Sequence, residues 1–233
     1  MHEIVLEGPA KNALGTKMMQ RVRHELKNAD GAPVLLTGAG DAFSAGLNLK
    51  ELLGLDAEGM AAFLTELDEL LTALFHYPGP TAAVVNGHAI AGGCLVQMFC
   101  DVRVAQASPS ARIGLNEVGL GLAFPPKLVE MVKYRLDPRY CEEVLLRASL
   151  YGPQGALRVG LVDAVSQNAR QEATRRLKFR SQNPPKAYAA AKAALRGHIG
   201  RDDPAAMKKF TEEVLPVWTS EELKDTIRGF LNR

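Results

Sequence analysis

Apolar residues in this chain fall into two kinds of run. Some are short and nearly continuous, bounded by turn residues: "APVLLTG" (Ala32 to Gly38), "PTAAVVNG" (Pro80 to Gly87) and "VRVAQA" (Val102 to Ala107). These predict strands, the first two buried, while "EIVLEG" (Glu3 to Gly8) alternates weakly and predicts a shorter one. Others recur with helical spacing. Thr16 to Asn28 places Met18, Val22 and Leu26 on one face, and Ala57 to Phe75 does the same with Phe63, Leu67, Leu70, Leu71 and Leu74. Both predict amphipathic helices. "FSAGLNLKEL" (Phe43 to Leu52) predicts a glycine turn into a short helix, Cys94 to Cys100 a short buried helix, and "ARIGLNEVGLG" (Ala111 to Gly121) a short strand and loop.

From Pro125 onward helical spacing dominates. Leu128-Val129-Met131-Val132, Tyr140 to Leu146 and Pro153 to Val159 predict successive helices, and "GLVDAVS" (Gly160 to Ser166) a short strand. Gln171 to Ser181, Pro185 to Leu195, Pro204 to Leu215 and Ser220 to Leu231 predict a helical tail, with Thr219-Ser220-Glu221-Glu222 as an N-cap region before Leu223. The fold class is therefore α/β with a helical C-terminal part. There is no internal repeat and no low-complexity segment.

Size and charge narrow the possible functions. The 233 residues are 47% hydrophobic and 23% charged, enough for one large core. The net charge of +2 comes without a basic block, which argues against nucleic acid as a partner. Cys94, Cys100 and Cys141 are odd in number and lie among apolar residues, which fits buried thiols in a reducing compartment and gives no zinc spacing. The N-terminal stretch has neither a basic nor an apolar segment of signal-peptide type, and no apolar run is long enough to span a bilayer. The expected location is cytoplasmic.

Three stretches carry candidate chemistry. In "GDAFSAGLNLKEL" (Gly40 to Leu52), Gly46 can turn a backbone N–H outward where a side chain would block approach. In "VVNGHAIAGGCLVQMFCDVRVA" (Val84 to Ala105), an apolar run meets Gly92-Gly93 and then a helix. Free N–H groups at such a helix start suit an oxygen that develops negative charge. In "RIGLNEVGLGL" (Arg112 to Leu122), Glu117 is the only carboxylate between Asp101 and Glu130 and sits among Ile113, Leu115, Val118, Leu120 and Leu122. Apolar surroundings raise a carboxyl pKa and make it a better base toward a carbon acid near neutral pH. Taken singly, each stretch also fits a structural role: a strand–helix turn, tight packing, a loop glutamate facing water.

Together the three resemble the crotonase, or enoyl-CoA hydratase/isomerase, superfamily. "KNAL" (Lys11 to Leu14), "APVLLTGAGDAFSAGLNLKEL", "PTAAVVNGHAIAGGCLVQMFCDVRVA", "RIGLNEVGLG" and "GALRVGLVDAV" occur in that family's order and spacing. The resemblance implies a spiral of ββα units over residues 1–168 for acyl-CoA binding and catalysis. It implies a helical region over 169–233 for trimerisation, in a homotrimer or a dimer of trimers. It implies an acyl-CoA thioester as substrate, with no separate cofactor, metal, nucleic acid or membrane partner. Its carbonyl oxygen would lie between the N–H groups of Leu47 and Gly92, one such donor being typically worth about 2.7–4 kcal/mol. Ala13, Ala45, Gly46, Gly93 and Leu95 would contribute to the substrate and CoA site, with Ala45 near the adenine and Lys11 or Lys50 meeting a phosphate.

Leu95 narrows the reaction. Hydratases of the family carry a glutamate after the glycine pair, as "GGCE", and a second in the later loop; here the first position is Leu95 and the second Glu117. A leucine anchors no water. Moving a double bond needs one carboxyl only, which takes a proton from the alpha carbon of a 3-enoyl thioester and returns it to the gamma carbon. "AGGCLV" with "IGLNEVGLG" is most similar to the 3,2-trans-enoyl-CoA isomerases, which serve fatty-acid beta-oxidation. The alternatives are another acyl-CoA enzyme of the superfamily (hydratase, thioesterase or decarboxylase) or a non-catalytic CoA- or RNA-binding relative. His88, Asp101 and Trp218 are read as structural, Asp101 as a local cap or pair and Trp218 as tail packing. Phe124-Pro125-Pro126 is read as the wall behind the acyl chain or as an ordinary turn. The apolar tail residues Phe210, Val214, Trp218, Phe230 and Leu231 are expected to need a partner chain.

Overall fold

Strands that are apolar at every position need cover on both faces, and the computed structural model, which describes residues 1–201 and 203–231, supplies it. Asp202, Asn232 and Arg233, within the expected C-terminal region, lie outside the described residues. β1 (His2–Leu6) leads through α1 (Pro9–Asn12) and α2 (Thr16–Ala29) to β2 (Val34–Gly38) and β3 (Ala42–Ser44). α3 (Leu49–Leu52) and the long α4 (Ala57–Phe75) precede β4 (Thr81–Val85), β5 (His88–Ile90) and α5 (Gly92–Met98). β6 (Val102–Gln106), β7 (Ile113–Gly114), α6 (Pro126–Arg135), α7 (Cys141–Leu146), α8 (Pro153–Arg158) and β8 (Ala164–Ser166) follow. α9 (Ala169–Arg180), α10 (Pro185–Arg196), α11 (Pro204–Lys209), α12 (Leu215–Trp218) and α13 (Glu221–Leu231) form the C-terminal part.

The strands form two sheets, both parallel. The larger has the order β1-β2-β4-β6-β8, and the smaller β3-β5-β7. Consecutive strands pair off between them: β2 and β3, β4 and β5, β6 and β7 each give one strand to each sheet. Repeating that step along the chain winds the ββα spiral. The expected α/β class with a helical C-terminal part is therefore present, with one unexpected feature. β3 and β5, three residues each, lie where a turn and the tail of an apolar run were expected.

One face of the large sheet is covered by α2, α4 and α5 through Met19, Val22, Phe63, Leu70, Leu74 and Val96. On the other face Ala169, Ala173 and Leu177 of α9 pack on Leu35, Ala82, Val84, Val102 and Val104. Cys94 and Cys100 are buried free thiols, whereas Cys141 is only half-buried. The helix expected over Pro204 to Leu215 is interrupted: a π-turn at Phe210–Val214 separates α11 from α12. Pro216 explains the break, because it has no N–H to continue the α ladder.

Asp101 corrects an expectation. Instead of a local cap, its buried carboxylate holds α10, which arrives late in the chain. Lys192 Nζ lies 2.8 Å and Arg196 2.8 Å from it, and the Tyr188 hydroxyl and the Thr81 N–H donate to it at 3.0 and 2.9 Å. Burial works against its charge, but Lys192 and Arg196 outweigh that and lower its pKa. Among the described residues, no helix is long and apolar enough to cross a membrane.

Candidate active site

The small sheet brings the three sequence stretches together. Parallel strands put all their carboxyl ends on one edge, and ligands in such sheets gather there. Ala45 to Leu47 follow the end of β3, Ala91 and Gly92 follow β5, and Asn116 and Glu117 follow β7 after Leu115. The register Ala89↔Ile113 and Ile90↔Gly114 holds the last two segments level, and the Ala91 N–H donates to Gly114 O at 2.9 Å. These residues open on a cavity of about 200 Å³. Leucine is the commonest residue of its wall, with Leu47, Leu49, Leu52, Leu64, Leu67, Leu95, Leu120, Leu122 and Leu128 among the lining residues.

Glu117 is the buried acid of this cavity, 8% exposed. Its Oε2 is buried without a hydrogen-bond partner. Desolvation raises its pKa to about 7, and backbone N–H groups of Glu117 and Asn116 offset only part of that. The 3₁₀ turn at Val118–Leu120 pins the residue from the other side, its carbonyl accepting from Leu120 and Leu122 at 2.9 and 3.0 Å. Near neutral pH such a carboxyl can both take and return a proton.

Two residues of the cavity wall, Leu47 and Gly92, leave their backbone N–H groups unused. A trans peptide is planar, so its N–H points opposite to its C=O. The Gly46 carbonyl accepts from the Leu14 N–H at 2.7 Å, which turns the Leu47 N–H of the same plane the other way. The Ala91 carbonyl accepts from the Leu95 N–H at 3.0 Å along α5, so the Gly92 N–H points out of the helix start. Neither N–H donates to another backbone or side-chain group among the described residues. The two sites touch: a Cβ on Gly46 would lie 2.9 Å from Ile90 O, and one on Gly92 would lie 2.9 Å from Leu47 Cδ2.

The strained residue at this junction is not a glycine. Gly46 has φ +97, as expected of a turn, but at the glycine pair the positive φ belongs to Ala91, at φ 49 and ψ −124. Gly93 serves close packing instead, since a Cβ there would lie 2.5–2.8 Å from Ser44. Strain of this kind persists where the surroundings over-determine it, as at functional sites. Nothing in an alanine codon announces it.

Of the residues singled out in the sequence, Ala45, Leu47, Gly92, Leu95 and Glu117 line the cavity. Leu95 is buried one turn into α5 and presents no polar atom to it. Gly46 and Gly93 lie behind this lining. Ala13 is buried, and Lys11 and Lys50 are exposed; none of these three lines the cavity. Lys11 lies 3.5 Å from Asp41. Phe124 and Pro125 form wall, as read, while Pro126 opens α6. His88 does not line the cavity; its pKa is lowered by burial.

Some lining residues carried no sequence signal. Asp68, on the buried side of α4 beside Leu64 and Leu67, reaches the cavity and pairs with Lys127 Nζ at 2.9 Å. Trp218 is more than tail packing: with Leu223, Ile227 and Phe230 it closes one side of the cavity, and its Nε1 is buried without a partner. Ser220 Oγ accepts from the Leu223 N–H at 3.2 Å, the expected cap of this closing helix. The tail therefore covers part of its own apolar face: Phe210 and Trp218 are buried within the chain, while Phe230 and Leu231 stay exposed. No group of three or more His, Cys, Asp or Glu among the described residues could hold a metal ion.

Comparison with known proteins places the chain in a family. The family model described as enoyl-CoA hydratase/isomerase matches residues 1–233. The chain is 31% identical to mouse mitochondrial enoyl-CoA delta isomerase 1 over 165 residues, 69% of this chain and 57% of that protein. It is 35% identical to the human protein of the same name over 57% of this chain and 44% of that one. The matched segments thus span about half the length of these relatives. A short-chain-enoyl-CoA hydratase of Clostridium acetobutylicum is 28% identical over 96% of this chain and 88% of its own. Among solved structures, human mitochondrial delta3-delta2-enoyl-CoA isomerase superposes with a TM-score of 0.87 at 25% identity, covering 100% of this chain and 93% of that one. A model match over the whole chain, on a fold and site built this way, places the protein in the enoyl-CoA hydratase/isomerase (crotonase) family.

Proposed function

We propose that the protein moves the double bond of a 3-enoyl-CoA to give the 2-trans-enoyl-CoA, with Glu117 as the single acid–base group. The carrying observation is that Glu117 is buried with a free oxygen, near-neutral pKa and a leucine-lined cavity, while Leu95 stands where a hydratase glutamate would. Glu117 takes the alpha proton. The electron pair delocalises over the allylic carbons and the thioester oxygen, which accepts hydrogen bonds from the Leu47 and Gly92 N–H groups. The neutral carboxyl then returns the proton to the gamma carbon, and the double bond re-forms between the alpha and beta carbons. The sum is an isomerisation that consumes nothing, so the reading includes no cofactor. The resemblance in sequence to delta isomerases supports it.

Glu117→Gln keeps the shape and cannot take a proton. Its kcat on a 3-enoyl-CoA is expected to fall about a hundred- to ten-thousand-fold, the usual contribution of a general base. A variant retaining more than about a tenth of wild-type kcat removes Glu117 from that role.

A second reading is hydration of a 2-enoyl-CoA. It is favoured by Asp68, a second carboxylate on the same cavity, and by the resemblance to hydratases. It is the weaker reading because Asp68 is already engaged by Lys127. For the assembled state the reading is a homotrimer or a dimer of trimers. Exposed Leu146, Leu150 and Leu157 support burial against a further chain. The role in fatty-acid beta-oxidation and the cytoplasmic location belong to the same reading, and the mitochondrial relatives make a mitochondrial location the rival to test.

A further inference from the structure

α1 is not a right-handed helix. Ala10 has φ 50 and ψ 51, Lys11 φ 59 and ψ 52, and Asn12 φ 60. Three consecutive non-glycine residues are thus left-handed, a conformation L-residues normally visit singly because Cβ crowds the carbonyl. Such a turn does not hold itself, and its brace is visible. Asn12 is 4% exposed. Its Nδ2 donates to Ala39 O at 2.8 Å and to Ala42 O at 2.9 Å, and its Oδ1 accepts from the Gly8 N–H at 3.3 Å. One side chain therefore ties the turn to the β2–β3 connection and back to its own start.

The turn in turn grips the segment that carries Leu47. Lys11 O accepts from the Ala45 N–H at 3.0 Å, Leu14 N–H donates to Gly46 O at 2.7 Å, and Leu14 O accepts from the Asn48 N–H at 2.9 Å. These bonds hold the peptide groups on either side of Leu47, including the plane whose far edge is the Leu47 N–H. The geometry points to Asn12 as a positioning residue for the reaction: it locks the left-handed turn, and the turn aims the Leu47 N–H at the thioester oxygen. This rests on the proposed role of Leu47 as an oxyanion donor. A buried asparagine bonded only to backbone would otherwise be a scaffold element, and the two roles differ in what they change.

The test uses Asn12→Gly, whose backbone adopts the left-handed conformation freely, together with Asn12→Ala. Two readouts are taken: kcat and KM on a 3-enoyl-CoA, and the infrared stretch of a ¹³C-labelled thioester carbonyl in bound 2-trans-enoyl-CoA. In the wild type the bound carbonyl is expected at lower frequency than free ligand. In Asn12→Gly most of that shift is expected to vanish, with kcat down about tenfold or more and KM changed less than about threefold. Ala10→Gly, which relieves the same turn and leaves the asparagine bonds in place, is expected to keep wild-type kcat and carbonyl shift. Wild-type kcat and carbonyl shift in Asn12→Gly would overturn the inference. So would loss of the fold in both Asn12 variants, since the asparagine would then be scaffold. A wild type with no carbonyl shift would instead remove the oxyanion-hole reading beneath it.

Discussion

At the scale of single residues the molecule turns on the burial of one carboxyl. The Glu117 pKa of about 7 means that activity limited by the free base should rise with pH through that region and level off above it. The same shift is a stability statement. The folded state holds the Glu117 proton more tightly than the unfolded chain does, so this contribution is fully present below the ordinary glutamate range and is lost as pH rises through about 7. Glu117→Gln should therefore be more stable than wild type at pH 8, by up to on the order of 3 kcal/mol, and no more stable at pH 4. Thermal midpoints of both proteins across that range check it; a difference independent of pH would contradict the burial argument. The backbone donors give a second comparison. Gly92→Val places a Cβ against Leu47 and Leu14 and disturbs an N–H that matters most when the oxygen is most negative. Its kcat should fall about tenfold or more, while Leu47→Ala, which keeps its N–H, should be far milder. Equal losses in both, tracking lost thermal stability, would make the glycine pair a packing device only.

At the scale of elements, legibility followed the range of the forces involved. The helix over Ala57 to Phe75 matched its observed bounds, because a long amphipathic stripe is written locally. β2, β4 and β6 were legible as apolar runs for the same reason. β3 and β5 were not, since three residues carry no period and exist as strands only by pairing with distant partners. The glycine pair and Glu117 could be singled out by residue type, but Ala91 could not. Nor could Asp68, one polar position on an otherwise apolar helix face. Asp101 was misplaced because its partners lie far along the chain. That buried cluster yields an element-scale prediction. Asp101→Asn leaves Lys192 and Arg196 facing each other without their carboxylate, a loss of about 3–5 kcal/mol. The thermal midpoint should drop by about 10 °C with kcat unchanged at low temperature, since α10 lines no part of the cavity. A drop below about 2 °C would show that α10 is held by packing alone.

At the scale of the whole molecule, two parallel sheets divide the work: the large one is buried on both faces and stabilises the fold, and the small one presents the ends of three strands to one cavity. The C-terminal helices then fold back, so that Trp218, Leu223 and Ile227 enclose the chain's own site. That closure reduces the apolar face left for a neighbour but leaves Leu146, Leu150, Leu157 and Phe230 exposed. Sedimentation at micromolar concentration should show a trimer or a multiple of it; a stable monomer would contradict the assembled state proposed. The most direct measurement of the central claim is product analysis. Purified protein is given a 3-enoyl-CoA and, separately, a 2-trans-enoyl-CoA, and the products are followed by mass and chromatography. Single-glutamate isomerisation predicts that the 3-enoyl-CoA becomes the 2-trans isomer at unchanged mass while the 2-enoyl-CoA gains water slowly or not at all. Conversion of the 2-enoyl-CoA to a product heavier by one water, at a rate comparable to or above any isomerisation, would contradict it.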